Sequence, residues 1–412
     1  MHILFFTENF PPETNAAATR VAERAHHWIR AGHQVTVITC APNFPYGRLF
    51  PGWQNRWRQT EMREGVRVVR VKTFIARNEG VVLRTLDFLS FMATAFFAAL
   101  FERRPDVVAV TSPQFFAAVG AWALAAVRRL PYVFELGDLW PRSIVAVGAM
   151  RDSAVLRALE KLELFLYRRA AAVVALTPAF KDNLVGRGIA SDKIKVVING
   201  VETSLYGPRS RDRELAATVG VGEAFTIGYV GTHGMAHALG KVLDAAEMLR
   251  AEPHIKFLFA GPGAEREHLI AEAQRRALPN VVFLDPQPKE RMPQVWSLCD
   301  VALVHLKDSP AFAEVIPSKI FEAMAMGLPI LLAAPMGEAS RIVEAEHAGI
   351  AVPPEDPTSL AQAVKKLATD STFRRVLAES SLAAAPRYSR VRQAEAMIEV
   401  FESVVRARRA LC

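Results

Sequence analysis

The sequence predicts an α/β protein made of two doubly wound domains, each a mostly parallel sheet covered by helices on both faces, the two facing across a cleft. Three observations lead there. The chain has 412 residues, more than one ordinary core accommodates, so two domains of roughly 200 residues are expected. Short β-like runs alternate with helix-length segments from end to end. A turn-rich and then charged stretch, NGVETSLYGPRSRDREL (199–215), separates two such series and reads as the interdomain linker.

The first series reads HILFF (2–6), QVTVIT (34–39), VRVVRV (66–71), DVVAV (106–110), YVFEL (132–136), AVVAL (172–176) and IKVVI (194–198). Between its first two strands, residues 16–31 have helix-forming composition and close on Gly32, a good C-terminal stop. The second series reads FTIGYVG (225–231), IKFLFAG (255–261), NVVFL (280–284), DVALV (300–304), LPILLA (328–333) and GIAVP (349–353). The expected domains are therefore 1–203 and 204–385, with a C-terminal helix at 386–412 packing back on the first.

Composition narrows the class. The chain is 51% hydrophobic and 22% charged, as expected of a folded globular enzyme. Cys40, Cys299 and Cys412 stand far apart and in no ligand-like spacing, which argues against a disulfide framework or a zinc site and fits a reducing cytoplasm. The opening MHILFF lacks the basic start, long apolar stretch and cleavage site of a secretory signal. An apolar run, FLSFMATAFFAALF (88–101), is bounded by Asp87 and by Glu102, Arg103 and Arg104. Its 14 residues are too few to span a bilayer, where about 20 are needed, so it is a buried helix or one that touches a membrane surface.

The net charge of +8 lies in the first half. Residues 1–205 carry 26 Lys and Arg against 17 Asp and Glu, and the remainder 24 against 25. Such asymmetry suits contact with an anionic surface such as phospholipid headgroups, or simply a solvated basic face. Arg56, Arg58, Arg63, Arg67 and Arg70 belong to no nucleic-acid motif, and no nucleic-acid partner is expected.

The most informative stretch is EVIPSKIFEAMAMGLPI (314–330). Pro317 suits the first position of a helix, because its missing N–H costs nothing there. Ser318, Lys319 and Ile320 then supply first-turn amides and one cation, together an anion site fit for a pyrophosphate. Glu322 shares a face with Ser318, while Phe321 and Met324 turn to the core. A carboxylate beside phosphates would repel them, but it suits the two hydroxyls of a ribose. Glu314, in the preceding loop, could meet sugar hydroxyls beyond the diphosphate. Spacing alone also admits a solvated helix charge and a loop charge.

At this point the sequence resembles the retaining glycosyltransferases of the GT-B fold known as family 4. The resemblance rests on Glu314 and Glu322 with AMAMGLPI, and on GHQVTVIT (32–39), VVALTPAFKDNL (173–184), KIKVVINGVE (193–202), FTIGYVGTHG (225–234), FLFAGPG (257–263) and CDVALVHLK (299–307), in family order. PNFPYG (42–47), DLWPRS (138–143) and IPSKIFEAMAMG (316–327) are similar to the subgroup that builds bacterial surface polysaccharides, including colanic-acid and O-antigen transferases for fucose-type and N-acetylfucosamine-type sugars.

The resemblance implies that Glu314 contacts the donor sugar, that Glu322 holds the ribose, and that the turn Gly231, Thr232, His233, Gly234 lies against the donor phosphates. Two departures stand out. GTHGMAHALGK lacks a basic residue where relatives carry a lysine, which shifts neutralisation to Lys319 and the helix amides, with His233 as a helper. The usual glycine pair of the first loop is replaced by TNAAAT (14–19). Asp138, just beyond a strand end, is expected to bind a substrate hydroxyl or take the acceptor proton, or else to cap the following turn. Trp140 reads as packing or sugar stacking, and Glu8 as a lesser cleft candidate.

The resulting expectation is a retaining transferase that uses a nucleotide-sugar donor, UDP-linked and of N-acetylfucosamine type, without metal or other cofactor. Its acceptor is a polyprenyl-diphosphate-linked saccharide at the cytoplasmic face of the plasma membrane, which the enzyme touches peripherally. A nucleotide-sugar 2-epimerase of the same fold and a non-catalytic partner subunit are the alternatives. A dehydrogenase fingerprint and a P-loop are both missing.

Overall fold

The structure, a computed structural model, describes residues 1–44, 47–75, 81–112, 115–139 and 153–410. It divides into two compact units, Met1–Ile198 with Arg390–Cys412, and Asn199–Ser389.

Among the described residues the first unit holds eight strands: β1 (His2–Phe6), β2 (Gln34–Cys40), β3 (Arg58–Arg63), β4 (Val66–Val71), β5 (Val107–Thr111), β6 (Tyr132–Leu136), β7 (Ala172–Ala175) and β8 (Ile194–Val196). Their order is β3-β4-β2-β1-β5-β6-β7-β8. In the middle of the sheet Ile3 lies opposite Val35 on one side and Val107 on the other, all three buried. Central parallel strands are covered on both faces, so their apolar runs are continuous and easily read.

Strand β3, RQTEMR, was not expected. It pairs antiparallel with β4 at the sheet edge, and an edge strand tolerates charge at almost every position. Three of the arginines noted above are paired here: Arg58 and Arg67 share Glu102, and Arg70 bonds Glu61 and the carbonyls of Cys40 and Pro11.

The helix Ala16–Arg30 starts where the Asn15 side chain accepts from the Ala18 N–H at 2.9 Å. Its Arg24 forks onto both oxygens of Glu135 in β6, at 2.9 and 2.7 Å, and Arg20 adds a third contact at 3.1 Å. Burial acts to raise the Glu135 carboxyl, but the two guanidiniums hold it at about 2. The C-terminal helix Arg390–Arg409 packs on this same helix: the Trp28 indole donates to the Ala394 carbonyl at 3.0 Å, its ring meets Phe401 edge-on, and Arg390 pairs with Glu23 at 2.6 Å.

The apolar run at 88–101 corrects one expectation. Its helix spans Val81–Leu100, 20 residues, because Arg84 and Asp87 interrupt the apolar pattern without interrupting the helix. By length and composition it could cross a membrane. Phe91, Ala95, Ala98 and Ala99 are nevertheless buried, while Leu83, Leu86 and Phe97, and Phe101 just beyond the end, stand exposed. The helix thus lies on the unit by one face and leaves an apolar face open.

The second unit is a six-stranded, wholly parallel sheet: β9 (Phe225–Val230), β10 (Ile255–Ala260), β11 (Val281–Leu284), β12 (Val301–His305), β13 (Ile330–Ala333) and β14 (Gly349–Val352), in the order β11-β10-β9-β12-β13-β14. The stretch read as a linker is partly built into this unit. Val201 bridges Ser389, and a side chain at Gly200 would come within 2.8 Å of the Tyr388 and Ser389 carbonyls. Residues 213–219 form a helix, capped by the Asp212 side chain.

Candidate active site

All six strands of the second unit point the same way, so their carboxyl ends share one edge. The order reverses between β9 and β12, and ligands of open α/β sheets bind at such a switch point. Three segments converge on it from the sequence: the turn Gly231–Gly234 after β9, the turn Gly261–Gly263 after β10, and the loop after β12 that leads through the short helix Pro310–Ala313 to the helix Lys319–Met326.

The two glycine turns are joined backbone to backbone. Gly231 donates to the Ala260 carbonyl at 2.8 Å, His233 to that of Pro262 at 2.8 Å, and Glu265 to that of His233 at 2.9 Å. A side chain at Gly261 would sit 2.2 Å from the Gly231 carbonyl oxygen, and one at Gly263 2.2 Å from that of His233. Both also have φ beyond +130°, a region that favours glycine.

Lys319 reaches under this turn. Its ammonium rests 3.6 Å from the centroid of the Tyr229 ring and would lie 2.9 Å from any Cβ placed on Gly231. The side chain is buried and Nζ has no hydrogen-bond partner. Burial pulls its pKa down to about 7, against the opposing pull of Glu322. An ammonium held on a π-face at the switch point, without an acceptor, is prepared for an anion.

The helix begins two residues later than expected. Pro317 precedes the N-cap Ser318, and the Pro317 carbonyl accepts from the Ile320 N–H at 3.1 Å. The Ile320 side chain is wholly buried, so of the expected contact only its backbone remains, and its N–H is engaged by Pro317. Ser318 is half-buried at the helix start, and Glu322 lies on the first turn. The buried Trp296 indole donates to Oε2 of Glu322 at 3.1 Å. Glu314 follows the helix Pro310–Ala313 and is half-buried, with the backbone beneath it fixed by Gly337, where a Cβ would come 2.0 Å from the Ala313 carbonyl oxygen.

His233, expected as a helper to the phosphates, is buried. Its ring is enclosed by Tyr229, Phe259 and Phe283, and burial, then Lys319 and Arg266, lower its pKa to about 4. It stays neutral near pH 7. His237 is lowered further, to about 3, by burial and Lys319. His237 Nδ1 lies 3.2 Å from the His305 carbonyl and His305 Nδ1 lies 2.7 Å from that of His237. A carbonyl only accepts, so both Nδ1 atoms carry the proton. Gly231 and Gly234 flank the exposed Thr232, whose carbonyl accepts from the Tyr229 hydroxyl at 2.8 Å.

Tyr229, Gly261, Gly263, Trp296 and the His237 and His305 pair were not found from the sequence as site residues. The glycines had one available signal, GPG directly after an apolar strand, which is the pattern of a backbone that must come close to something.

In the first unit, Asp138 stands two residues past β6 and is half-buried. The preceding Gly137 donates to the Ser112 hydroxyl at 2.8 Å, and a Cβ there would come 3.0 Å from the Arg20 guanidinium. Glu8 is half-buried beyond β1, its carboxyl pushed well up by burial, Asp87 and Glu13. Glu13 ties two loops together by accepting from the backbones of Phe10, Asn43 and Phe44. Trp140 lies outside the described residues. Among the described residues, no group of three His, Cys, Asp or Glu side chains is arranged to hold a metal ion.

Comparison with known proteins bears on both units. Residues 15–200 match the family described as a glycosyl transferase 4-like domain, and residues 224–370 the family described as glycosyl transferases group 1. The chain is 25% identical over 336 residues to the colanic acid biosynthesis glycosyl transferase WcaI of Escherichia coli K12, over 79% of this chain and 82% of that one. It superposes on sucrose-phosphate synthase from Thermosynechococcus elongatus with a TM-score of 0.81 at 18% identity, covering 98% of this chain and 99% of that chain. It also superposes on Anabaena HepE in complex with UDP-glucose, with a TM-score of 0.74 at 19% identity, covering 98% and 100%.

Proposed function

Because the chain belongs to the glycosyltransferases of the GT-B fold that join a 4-like domain to a group 1 domain, we propose that it transfers a sugar from a UDP-linked donor to a lipid-linked saccharide, with retention, in the synthesis of a surface polysaccharide. One observation carries the donor side: the buried, unpartnered ammonium of Lys319 against Gly231, on the same short helix as Glu322. Lys319 receives the diphosphate, Glu322 the ribose hydroxyls and Glu314 the hydroxyls of the sugar. The named function of the E. coli relative supports the polysaccharide setting, and the UDP-glucose bound to HepE supports the nucleotide. An N-acetylfucosamine-type sugar is the donor proposed.

The step is balanced as follows. The bond between the anomeric carbon and the β-phosphate oxygen breaks, and the acceptor oxygen bonds that carbon on the same face. The acceptor proton passes to the departing phosphate, leaving the glycosylated acceptor and UDP. Charge stabilisation by Lys319 and positioning by the two glutamates supply the catalysis, with no metal in the scheme. Asp138 binds the acceptor hydroxyl. The open apolar face at Leu83, Leu86 and Phe97, in the basic half of the chain, seats the enzyme on the anionic inner membrane face where such an acceptor resides.

Thermal stabilisation across UDP, GDP and TDP sugars tests the donor class. UDP sugars should raise the melting temperature; no response to any nucleotide sugar contradicts the proposal. UDP release that needs no lipid acceptor would point to an epimerase instead.

A further inference from the structure

We infer that Trp296, a residue with no part in the scheme above, is a positioning residue that keeps the Glu322 carboxylate aimed at the ribose and off the Lys319 ammonium. The inference rests on the donor-binding reading of Glu322 and Lys319.

Lys319 and Glu322 are three residues apart on one helix, so their side chains share a face, and opposite charges at that spacing pair by default. Here they do not follow the default. Lys319 Nζ has no hydrogen-bond partner and lies on the Tyr229 ring, while Glu322 Oε2 takes the Trp296 indole N–H at 3.1 Å. The indole is a donor only, and Trp296 is wholly buried, so its N–H needs an acceptor from within the fold. It comes from a separate element, the helix Met292–Trp296, held in place by the Cys299 N–H donating to the Trp296 carbonyl at 3.0 Å. Cys299 in turn fills the space that a side chain at Gly228 of β9 would need, its Sγ only 2.1 Å from such a Cβ.

The anchor is therefore rigid, and it acts on a carboxylate whose two oxygens offer about four acceptor sites, more than one indole can occupy. Fixing one oxygen sets the plane of the carboxylate. Without the indole bond the carboxylate loses the contact that aims it, and any turn towards Lys319 would neutralise the cation meant for the diphosphate and withdraw the acceptor meant for the ribose.

The test compares UDP with 2′,3′-dideoxy-UDP, which lacks both ribose hydroxyls, by calorimetry on the full chain. The wild type should prefer UDP. Trp296→Phe should weaken UDP about tenfold, the size of one hydrogen bond to a charged group, and weaken the dideoxy compound less, because only the Lys319 contact applies to it, so that the two affinities converge. In a Glu322→Gln background the same substitution should cost little more. Equal weakening of both ligands by W296F, or no weakening of either, would overturn the inference. Should W296F melt early, replacing Trp296 by the isosteric β-(3-benzothienyl)alanine removes the N–H while keeping the bicyclic shape, and the same contrast is expected. A wild type that binds UDP without preferring it over the dideoxy compound removes the ribose role of Glu322, and this inference with it, while leaving nucleotide binding intact.

Discussion

The Lys319 ammonium lies 3.6 Å from the centroid of the Tyr229 ring, buried and without a hydrogen-bond acceptor. A charge kept in such a place destabilises the empty fold and is relieved by an anionic ligand. Lys319→Met should therefore leave the melting temperature of the empty protein unchanged or higher, and weaken UDP by roughly 10- to 100-fold. Calorimetry with differential scanning measures both. A variant that melts much earlier would show Lys319 to be structural.

The same group sets a pH dependence. With its pKa pulled down to about 7 by burial, Lys319 loses its proton in the empty site as pH rises through that value. A bound diphosphate restores the proton, so binding takes up a proton and weakens as pH rises above 7. The ligand does not mask this, since a terminal phosphate with a pKa near 6 is by then fully ionised. In the empty protein the sign is opposite: between about 7 and the ordinary lysine value the unfolded chain holds a proton the fold does not, so stability rises with pH. UDP titrations in two buffers of different ionisation enthalpy at pH 8 should report proton uptake in the wild type and none in Lys319→Met.

Gly263→Ala should be far more damaging than Gly231→Ala. The first places a methyl 2.2 Å from the His233 carbonyl oxygen, a backbone atom, while the second meets the far end of a flexible lysine. Gly263→Ala is expected to cost about 2–4 kcal/mol by urea unfolding, as an overpacked and backbone-strained site does. Gly231→Ala, whose φ of +141° is also unfavourable for alanine, should keep its fold better but lose UDP affinity as Lys319 is displaced.

Glu135→Ala should destabilise the first unit by about 3–5 kcal/mol, because Arg20 and Arg24 would be left buried without their shared carboxylate. With the folded carboxyl held at about 2, below the ordinary range, the ion pair's contribution is complete above the unfolded value and disappears as pH falls towards 2. Chemical denaturation at pH 7 measures the loss.

Leu86→Gln with Phe97→Gln changes only exposed side chains of the helix Val81–Leu100. Co-sedimentation with vesicles containing phosphatidylglycerol should fall by roughly fivefold or more, since each buried apolar side chain contributes about 1.5–3 kcal/mol. Unchanged sedimentation, or none for the wild type, contradicts the membrane seat.

Much of the fold is visible in the order of residues, and the reason is burial. Strands such as HILFF and IKFLFA lie in the middle of parallel sheets and carry unbroken apolar runs. RQTEMR at the sheet edge has no such run, and only its pairing with β4 makes it a strand. In the helix Val81–Leu100, Arg84 and Asp87 hide the first two turns. At the site, Glu314, Lys319 and Glu322 could be singled out because they lie close together along the chain. Tyr229, Gly261, Gly263 and Trp296 act through contacts with residues far away in sequence, and such contacts leave no local periodicity to read. The enclosure of His233 was hidden in the same way: of the three aromatic rings around it, Phe259 and Phe283 come from β10 and β11, far away in the chain.

The most direct measurement is a crystal structure of the protein with UDP. The β-phosphate should lie within hydrogen-bond distance of Lys319 Nζ, beside Gly231, with the ribose hydroxyls on Glu322 while Trp296 still holds its other oxygen. UDP bound away from the carboxyl edge of β9 and β12, or in that place with its diphosphate turned from Lys319, would contradict the account.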